Sequence, residues 1–303
     1  MRPIFLNLDN ALAEQPALLR QGKLQVIYAC DLGPALRLWS RPRALAALAD
    51  RLREQPTPAG PELVFAGSGD FHHVTPLLIE RAIQAANCGP VTVVHFDNHP
   101  DWVRFDNGMH CGSWVGPAAR LDGVAKVITV GVCSADIDHP ETNRADLDLV
   151  AERRVEIYPY RAPDGGLIFK VGDQGWPSIE AMGEVRFVAF LASRITTPAV
   201  YITIDKDVLR ASDAITNWDQ GQLSLSGLEA MIRAVAGRAR VIGADVVGDW
   251  SPPRYGPGPL AALLKICEAF LDQPHAGPPA DAARHINEAA NLRLLSLFSE
   301  VTA

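Results

Sequence analysis

Two short segments of the 303-residue chain carry acidic and imidazole side chains at spacings that suit metal binding. The first is Asp97-Asn98-His99-Pro100-Asp101, and the second is Asp205-Lys206-Asp207. Four carboxylates in one crevice would repel one another unless their pKa values rise or cations bind between them. Two divalent cations would balance the four charges, with a bridging carboxylate from each segment holding them about 3.5 to 4 Å apart. Mostly oxygen ligands with some imidazole favour manganese over zinc.

Such a pair of cations would support hydrolysis, because it lowers the pKa of a bridging water enough to give hydroxide near neutral pH. His110, which follows an Asn107-Gly108 turn, has the chemistry of a proton shuttle, since the unperturbed pKa of histidine is near 6.5. The alternative reading of each segment is a solvated loop at the end of a strand, because short motifs have a real false-positive rate.

Each acidic segment follows a run that predicts a buried strand. Residues 91–96 contain four consecutive β-branched residues and no polar alternation, which is typical of a strand covered on both faces in a parallel sheet. Residues 198–204 have the same character. Ligands of open α/β sheets bind beyond the carboxyl ends of the strands. The chain must coil after Asp97, because an extended chain would leave Asp97 and Asp101 about 13 Å apart.

A third segment follows another predicted strand, at residues 62–66. It is Gly67-Ser68-Gly69-Asp70-Phe71-His72-His73, and a helix through Ile79, Ile83 and Ala86 comes next. Glycines at this turn would let the backbone bend sharply and bring side chains to the sheet edge. A phosphate cradle is disfavoured, because the third glycine of that motif is missing and Asp70 would repel a phosphate. His72 or His73 could instead offer an imidazole to a metal.

The remaining pattern alternates strands and helices, which indicates an α/β fold. Further strands are predicted at 24–30, 126–132, 155–158 and 240–247, and residues 185–190 fit either a strand or a helix. Helices are predicted at 42–53, 226–237, 257–271 and about 281–298. We expect one domain over residues 1–303, with a proline-rich link at about 274–279 that leads to the C-terminal helix.

Composition limits the class of protein. A net charge of −7 and a pI near 5.6 argue against a nucleic-acid-binding protein. The first nine residues are too polar for a signal peptide, and the chain has no apolar run of about eighteen residues that would cross a membrane. Five cysteines without a CxxC pair fit reduced thiols, so we expect a cytoplasmic protein.

The ordered motifs resemble those of the arginase/agmatinase (ureohydrolase) family, over residues 62–252. They are Gly67-Ser68-Gly69-Asp70-Phe71-His72, His95-Phe96-Asp97-Asn98-His99-Pro100-Asp101, His110-Cys111-Gly112, Ile204-Asp205-Lys206-Asp207 and Gly243-Ala244-Asp245-Val246-Val247. The resemblance implies a three-layer α/β/α sandwich with a mainly parallel central sheet, two Mn²⁺ ions, and hydrolysis of a guanidinium group to urea and an amine. Family members are commonly oligomeric, so it also implies a homo-oligomer acting on a small molecule.

The resemblance assigns roles residue by residue. One ion would be held by His72, Asp97, Asp101 and Asp205, and the other by Asp97, His99, Asp205 and Asp207. A hydroxide bridging the ions would attack the amidine carbon, with Asp101 and His110 as catalytic residues, and His110 would pass a proton to the leaving amine.

The chain departs from the family's motifs in three places. The first is beside the metal site: the family has aspartate directly before its ligand histidine, whereas Phe71 stands there, and either His72 or His73 could be the ligand. The other two departures concern the substrate side. The family's aspartate-proline after the second acidic pair is Arg210-Ala211, and its glycine- and threonine-rich loop is Thr216-Asn217-Trp218-Asp219-Gln220-Gly221. The family's guanidinium-binding glutamate falls on Gly248. Asp249 could replace it only if the glycine allows a bulge, since adjacent strand side chains face opposite ways. Asp249, Asn98 and Trp218 are therefore the candidate substrate-binding residues.

Three functions remain open on the sequence. The first is a manganese hydrolase of guanidine, amidine or formimidoyl substrates. The second keeps the fold and metals but cleaves another amide, as the related deacetylases do, and the missing glutamate motivates it. The third is a non-catalytic metal-binding or interaction protein.

Overall fold

Parallel strands form the centre of the protein, which we describe from a computed structural model. The structure describes residues 1–21, 24–56, 59–275 and 280–302. In chain order the strands are β1 (Arg2–Asn7), β2 (Gln25–Tyr28), β3 (Trp39–Ser40), β4 (Glu62–Phe65), β5 (Val91–Phe96), β6 (Met109–His110), β7 (Val124–Val130), β8 (Val155–Tyr158), β9 (Ile168–Val171), β10 (Gln174–Pro177), β11 (Ala199–Asp205) and β12 (Arg240–Val247). Eight of them form one sheet in the order β2-β1-β4-β12-β11-β5-β7-β8, and every neighbouring pair is parallel. The predicted parallel sheet is confirmed.

Helices flank this sheet and give the α/β/α layering. They are α1 (Pro16–Leu19), α2 (Gly33–Leu36), α3 (Pro42–Arg53), α4 (Thr75–Ala86), α5 (Val115–Ala119), α6 (Leu147–Ala151), α7 (Ile179–Met182), α8 (Glu184–Arg194), α9 (Leu225–Ala236), α10 (Gly258–Asp272) and α11 (Ala280–Val301). Helices α4 and α5 pack on the sheet and contact each other. Helices α8 and α11 both pack against α9 and form a second group. In the described part of the chain, no helix combines the length and apolarity needed to cross a bilayer.

The register of the sheet brings the two acidic segments to the same edge. β5 and β11 are neighbours with every residue buried, and Phe96 pairs with Ile204. β12 lies on the other side of β11, where Val247 pairs with Asp205. Because these strands are parallel and in step, the residues that follow them emerge side by side. The sequence-based prediction of convergence at the strand ends therefore agrees with the topology.

The structure settles one sequence-based alternative and adds one strand, and it leaves part of the predicted link undescribed. Residues 185–190, which fitted either element, belong to helix α8, because Phe187 and Leu191 are buried four residues apart while Val185 is exposed. Strand β1 was not predicted as a strand, yet it lies between β2 and β4. Of the predicted proline-rich link at about 274–279, residues 276–279 lie outside the described residues.

Candidate metal centre

Turns at the ends of three strands of the central sheet position the candidate site. A 3-10 helix over Gly69–Val74 follows β4, and another over Lys206–Val208 follows β11. After β5 the chain turns back on itself, and Asp101 adopts the left-handed backbone conformation with φ of 50°. A non-glycine residue in this region is uncommon and is found where the surrounding structure requires it. The coiling predicted after Asp97 therefore occurs, and it returns the Asp101 carboxylate toward the sheet edge.

A first group of side chains that could hold a metal ion consists of His72, His95, Asp97 and Asp101, whose ligand atoms lie within 4.8 Å of one another. His72 Nδ1 is 2.9 Å from Asp97 Oδ2 and 3.4 Å from Asp101 Oδ2. His95 Nε2 is 2.8 Å from the same Asp97 oxygen. All four side chains are buried, so the group forms a nearly dry cluster of two imidazoles and two carboxylates.

A second group consists of Asp97, His99 and Asp207. His99 Nδ1 is 3.5 Å from Asp97 Oδ1 and 3.0 Å from Asp207 Oδ2. The other ring nitrogen, Nε2, lies 2.9 Å from Asp219 Oδ1. A carboxylate on the far nitrogen of a metal-binding histidine fixes its tautomer and orientation. Since Asp97 belongs to both groups, the arrangement fits two adjacent ions with one shared ligand.

Asp205 lies beside the first group, although neither group, as found among the described residues, includes it. Its Oδ2 is 3.8 Å from His72 Nδ1, and its carboxylate lines the cavity described below. Two glycines enclose it: a Cβ atom on Gly69 would lie 2.4 Å from Oδ2, and one on Gly248 would lie 2.4 Å from Oδ1. The space around this carboxylate is thus kept open by residues without side chains.

The hydrogen bonds around His72 indicate that its free nitrogen is suited to a cation. Thr203 Oγ1 donates a hydrogen bond to Asp245 Oδ1 at 2.9 Å and lies 2.8 Å from His72 Nε2. Because the hydroxyl proton is used toward Asp245, the Thr203 oxygen accepts a hydrogen bond from His72 Nε2–H. Nδ1 is then left with a lone pair, is buried and has no hydrogen bond of acceptable geometry, while carboxylate oxygens lie around it. A lone pair among carboxylates requires a proton or a cation between them. The donor set therefore fits a divalent metal.

The pKa values of the candidate acidic ligands reflect how crowded their negative charges are. Burial raises the pKa of Asp101 to about 8 and that of Asp207 to about 7, and the Asp97 carboxylate adds to both shifts. Burial, with Asp207 next, also raises the pKa of Asp205 well above its ordinary value. The pKa of Asp97 is lowered, since the neighbouring histidines outweigh the opposing effect of burial. Three of these carboxyls are therefore unfavourable as anions without a cation.

The metal-free protein should lose thermal stability as the pH rises from about 5 to about 8. Asp101 and Asp207 have folded-state pKa values of about 8 and about 7 against an ordinary value of 3.8, so the folded state binds more protons inside this window. Each such group lowers the free energy of unfolding by about 1.4 kcal/mol per pH unit there. Thermal unfolding of chelator-treated protein measures the effect, and reloading with Mn²⁺ should remove it. Equal melting temperatures at both pH values in the metal-free protein would refute the crowded-carboxylate account.

Members of both groups line a cavity of about 600 Å³, whereas His95 lies behind them and is not part of its lining. His110 lies on its wall, and its Nε2 is 2.6 Å from Glu268 Oε1 of α10. Trp218 lies on another part of the wall, with its ring 5.5 Å from the His99 ring and its Nε1 donating to Asp70. Phe105 also lines the cavity. Six of the metal-ligand candidates and the predicted proton shuttle thus line the same cavity.

Two of the three candidate substrate-binding residues do not line this cavity. Asn98 is buried: its backbone N–H donates to Asp207 Oδ1 at 3.0 Å, and its side-chain amide donates to Asp219 Oδ2 at 2.8 Å. The Asp249 carboxylate is buried, with Oδ1 2.8 Å from Lys206 Nζ, and it also accepts a hydrogen bond from the Gln15 side-chain amide. Their polar groups are committed inside the protein, so the expectation that they contact substrate is corrected. Trp218 remains a candidate.

The structure also brings in residues that the sequence reasoning missed. His95 joins the first group because it lies two positions before Asp97, and residues two apart in a strand share a face. That periodicity was visible in the sequence. Asp219 reaches His99 from the loop after β11, and Glu268 reaches His110 from α10. No local pattern connects either carboxylate to its histidine, since both are distant in the chain.

His72, rather than His73, faces the cavity. His73 is fully buried beside it, and both of its ring nitrogens lack a hydrogen-bond partner among the described residues. Burial, followed by the charge of His110, holds the pKa of His73 well below its ordinary value. Of the two histidines left open by the sequence, His72 is therefore the one positioned as a ligand.

A Gly248→Ala variant should bind less metal and unfold more easily. The new Cβ would lie 2.4 Å from Asp205 Oδ1 and 2.6 Å from the Lys206 nitrogen, in a backbone with φ of 91°. Gly183→Ala is the matched control, because Gly183 has φ of 81° but open space around it. We expect both variants to lose about 1 kcal/mol from backbone strain, and Gly248→Ala to lose a further 1 to 3 kcal/mol and bound Mn²⁺. Equal metal content in the two variants would contradict the packing argument.

No family model matches the chain. A curated relative, an uncharacterized protein of Thermotoga maritima, is 27% identical over 193 residues, which is 64% of this chain and 60% of that protein. The chain thus matches less than two thirds of the relative's length.

Solved structures match more of the chain. A hypothetical agmatinase from Burkholderia thailandensis is 16% identical, with a TM-score of 0.57 over 98% of this chain and 85% of that one. Formimidoylglutamase from Bacillus subtilis is 14% identical, with a TM-score of 0.54 over 96% and 86%. Proclavaminate amidino hydrolase from Streptomyces clavuligerus is 15% identical, with a TM-score of 0.53 over 89% of each chain. At such identities a likeness shows the fold alone, and the chain is a divergent member of the arginase/ureohydrolase fold.

Proposed function

We propose that the protein is a binuclear manganese hydrolase that cleaves a C–N bond of a guanidino or amidino substrate. The observation that carries this proposal is the pair of ligand groups that share Asp97 at the floor of the cavity. Two of the structural neighbours are named for related substrates, an amidino hydrolase and a formimidoylglutamase. The oxygen-rich donor set favours Mn²⁺ over Zn²⁺.

The proposed ligands follow the resemblance, with one addition. His72, Asp97, Asp101 and Asp205 would hold one ion and Asp97, His99, Asp205 and Asp207 the other, with His95 as a further nitrogen donor at the first. A bound pair of divalent cations lowers the pKa of water and stabilises negative charge that develops on the substrate. Thr203, Asp245 and Asp219 hold the ligand histidines in their tautomers.

His110 is the proposed source of the proton for the leaving amine. Its Nδ1 accepts the backbone N–H of Gly112 at 2.8 Å, so the neutral ring carries its proton on Nε2. That atom faces Glu268 Oε1 at 2.6 Å, and both residues line the cavity. Glu268 would thus fix the orientation of the ring at the cavity wall.

The charges of the cavity wall favour a cationic substrate without a carboxylate. The lining includes Asp97, Asp101, Asp136, Asp205, Asp207, Asp219, Glu268 and Asp272, and no lysine or arginine among the described residues. Two divalent cations would balance the four inner carboxylates. The outer four, Asp136, Asp219, Glu268 and Asp272, would then attract a guanidinium or amine and repel a free carboxylate.

A turnover screen tests this proposal. Mn²⁺-loaded protein would be incubated with agmatine, arginine, guanidinobutyrate, guanidinopropionate and formimidoylglutamate, and released urea, formamide or ammonia would be measured beside the metal content. We expect agmatine-like compounds, which carry no carboxylate, to give the highest kcat/KM. Preferred turnover of a carboxylate-bearing compound would contradict the charge argument. Fully loaded protein with no activity on any of them would contradict the guanidino assignment.

A second candidate function is hydrolysis of an acylated amine, and the end of β12 favours it. Gly248 has no side chain and the Asp249 carboxylate is paired with Lys206, so neither supplies the carboxylate that pairs with a planar guanidinium. Release of acetate from an N-acetylated polyamine, without urea release from any guanidino compound, would identify this function instead.

A further inference from the structure

Helix α10 exposes an unusual amount of apolar surface. Six of its residues form what we call the α10 stripe, and each is between 52% and 79% exposed: Leu260, Leu263, Leu264, Ile266, Phe270 and Leu271. Large apolar side chains are mostly buried in a folded domain, and a contiguous exposed patch marks an interaction surface.

The stripe follows the spacing of a helix-packing surface. Its members recur at intervals of three and four residues, and Cys267, also exposed, lies among them. Such spacing places side chains along one side of a helix. The opposite side faces the protein: Lys265 is buried, and Glu268 and Asp272 line the cavity. Within Gly258–Asp272, all of which is described, the stripe itself therefore carries no charge.

A groove lies next to this stripe. It has a volume of about 530 Å³ and is lined mainly by apolar residues, among them Pro253, Ala262, Ile266, Phe270 and Pro274. Ile266 and Phe270 thus belong to both the stripe and the groove wall. An apolar ridge beside an apolar groove lets two copies of one surface pack ridge into groove about a two-fold axis.

We propose that the α10 stripe is the interface of a homodimer, in which two copies of α10 pack against each other. The six side chains expose roughly 800 Å², about the area that one partner buries in an interface of standard size. A two-fold contact places the same residues opposite themselves, and a stripe without charge meets its copy with no like-charge repulsion.

The charges around the stripe argue against a lipid bilayer as its occupant. Helices that lie on membranes carry lysine and arginine on the polar face, which anionic lipids attract. The acidic residues of α10, Glu268 and Asp272, line the cavity, and the chain has a net charge of −7. An anionic membrane would repel such a surface, whereas a second uncharged stripe would not.

Dimerisation through the α10 stripe would also affect the cavity, because Glu268 of α10 contacts His110 and Asp272 of α10 lines the cavity wall. The helix meets the rest of the protein mainly through its inner side. A second copy on the outer side would hold the helix in place over the cavity.

Sedimentation velocity of the full chain over a range of concentrations tests the proposal. We expect a dimer for the natural sequence and a monomer for Leu264→Glu, with the dissociation constant raised about 100-fold or more by the buried charges. Val185→Glu is the matched control, since Val185 is an exposed apolar residue on another helix, α8. It should leave the dimer intact. A natural protein that is monomeric throughout, or a dimer that Leu264→Glu leaves unchanged, would overturn the proposal.

Cross-linking gives a readout that does not depend on a substitution in the stripe. Cys267 is exposed, whereas the other cysteines are buried or half-buried. A short bis-maleimide should therefore join two chains through Cys267 at dilute concentration, and Cys267→Ser should abolish the product. A dimer in sedimentation without this product would place the interface elsewhere and reject the α10 stripe. Monomeric protein that co-floats with vesicles of phosphatidylcholine and phosphatidylglycerol would reject the second copy in favour of a membrane.

Discussion

Replacing Asp97 by alanine should remove most of the bound metal and reduce hydrolysis by about a thousandfold or more. Asp97 Oδ2 lies within 2.9 Å of nitrogen atoms of His72 and His95, and Oδ1 lies 3.5 Å from His99 Nδ1. It is the candidate ligand that the two groups share, so its loss would weaken both proposed metal positions at once. Metal content by mass spectrometry and turnover of the best substrate measure the two effects.

Asp136→Ala provides the control for general loss of negative charge. Asp136 lines the same cavity, but its Oδ2 accepts from Ser134 rather than facing the ligand histidines. This variant should retain its metal. An Asp97→Ala protein that retains as much Mn²⁺ as the Asp136→Ala protein would show that the shared-ligand arrangement is wrong.

Lys206→Met should lower the free energy of unfolding by about 3 to 5 kcal/mol. Lys206 stands between Asp205 and Asp207 in the chain and is completely buried, and its Nζ lies 2.8 Å from Asp249 Oδ1. Burial lowers the pKa of Lys206, and the Asp249 carboxylate opposes that shift. Without the lysine, the Asp249 charge would remain buried and unpaired. Urea unfolding of the metal-loaded protein measures the loss.

Two further variants test the cause of that loss. Lys206→Met with Asp249→Asn removes the unpaired charge, so the double variant should recover part of the stability that the single variant loses, because Gln15 can still donate to the new amide. Arg161→Met breaks the exposed pair with Glu180 and should leave the free energy of unfolding almost unchanged, because solvent screens that pair. A Lys206→Met protein no less stable than Arg161→Met would rule out a structural role for the buried pair.

The positions of the metal-ligand candidates could be predicted because they depend on strand geometry. A buried β-branched run ending in aspartate identifies a strand and its carboxyl end, and parallel neighbours in register bring Asp97 and Asp205 to one edge. The turn after Asp97 was predicted because an extended segment would hold Asp97 and Asp101 too far apart to share an ion. His95 could also have been found, because the two-residue period that links Asp205 to Asp207 links it to Asp97.

The residues on the substrate-facing part of the cavity were harder to predict, since their positions depend on backbone turns and on contacts between distant parts of the chain. At the end of β12, Gly248 has φ of 91°, so strand alternation no longer gives the direction of the next side chain. Asp249 turns toward Lys206 instead of the cavity. Glu268 reaches His110 from a helix 158 residues later in the chain. No periodicity encodes such a contact, because it follows from the packing of the completed fold.

The most direct test of the central claim is a crystal structure of the Mn²⁺-loaded protein with anomalous diffraction data. We expect two manganese peaks at the floor of the cavity, one beside His72 and His95 and one beside His99 and Asp207, with Asp97 in contact with both. A single peak, or no peak at this floor in protein shown to be loaded, would contradict the binuclear centre.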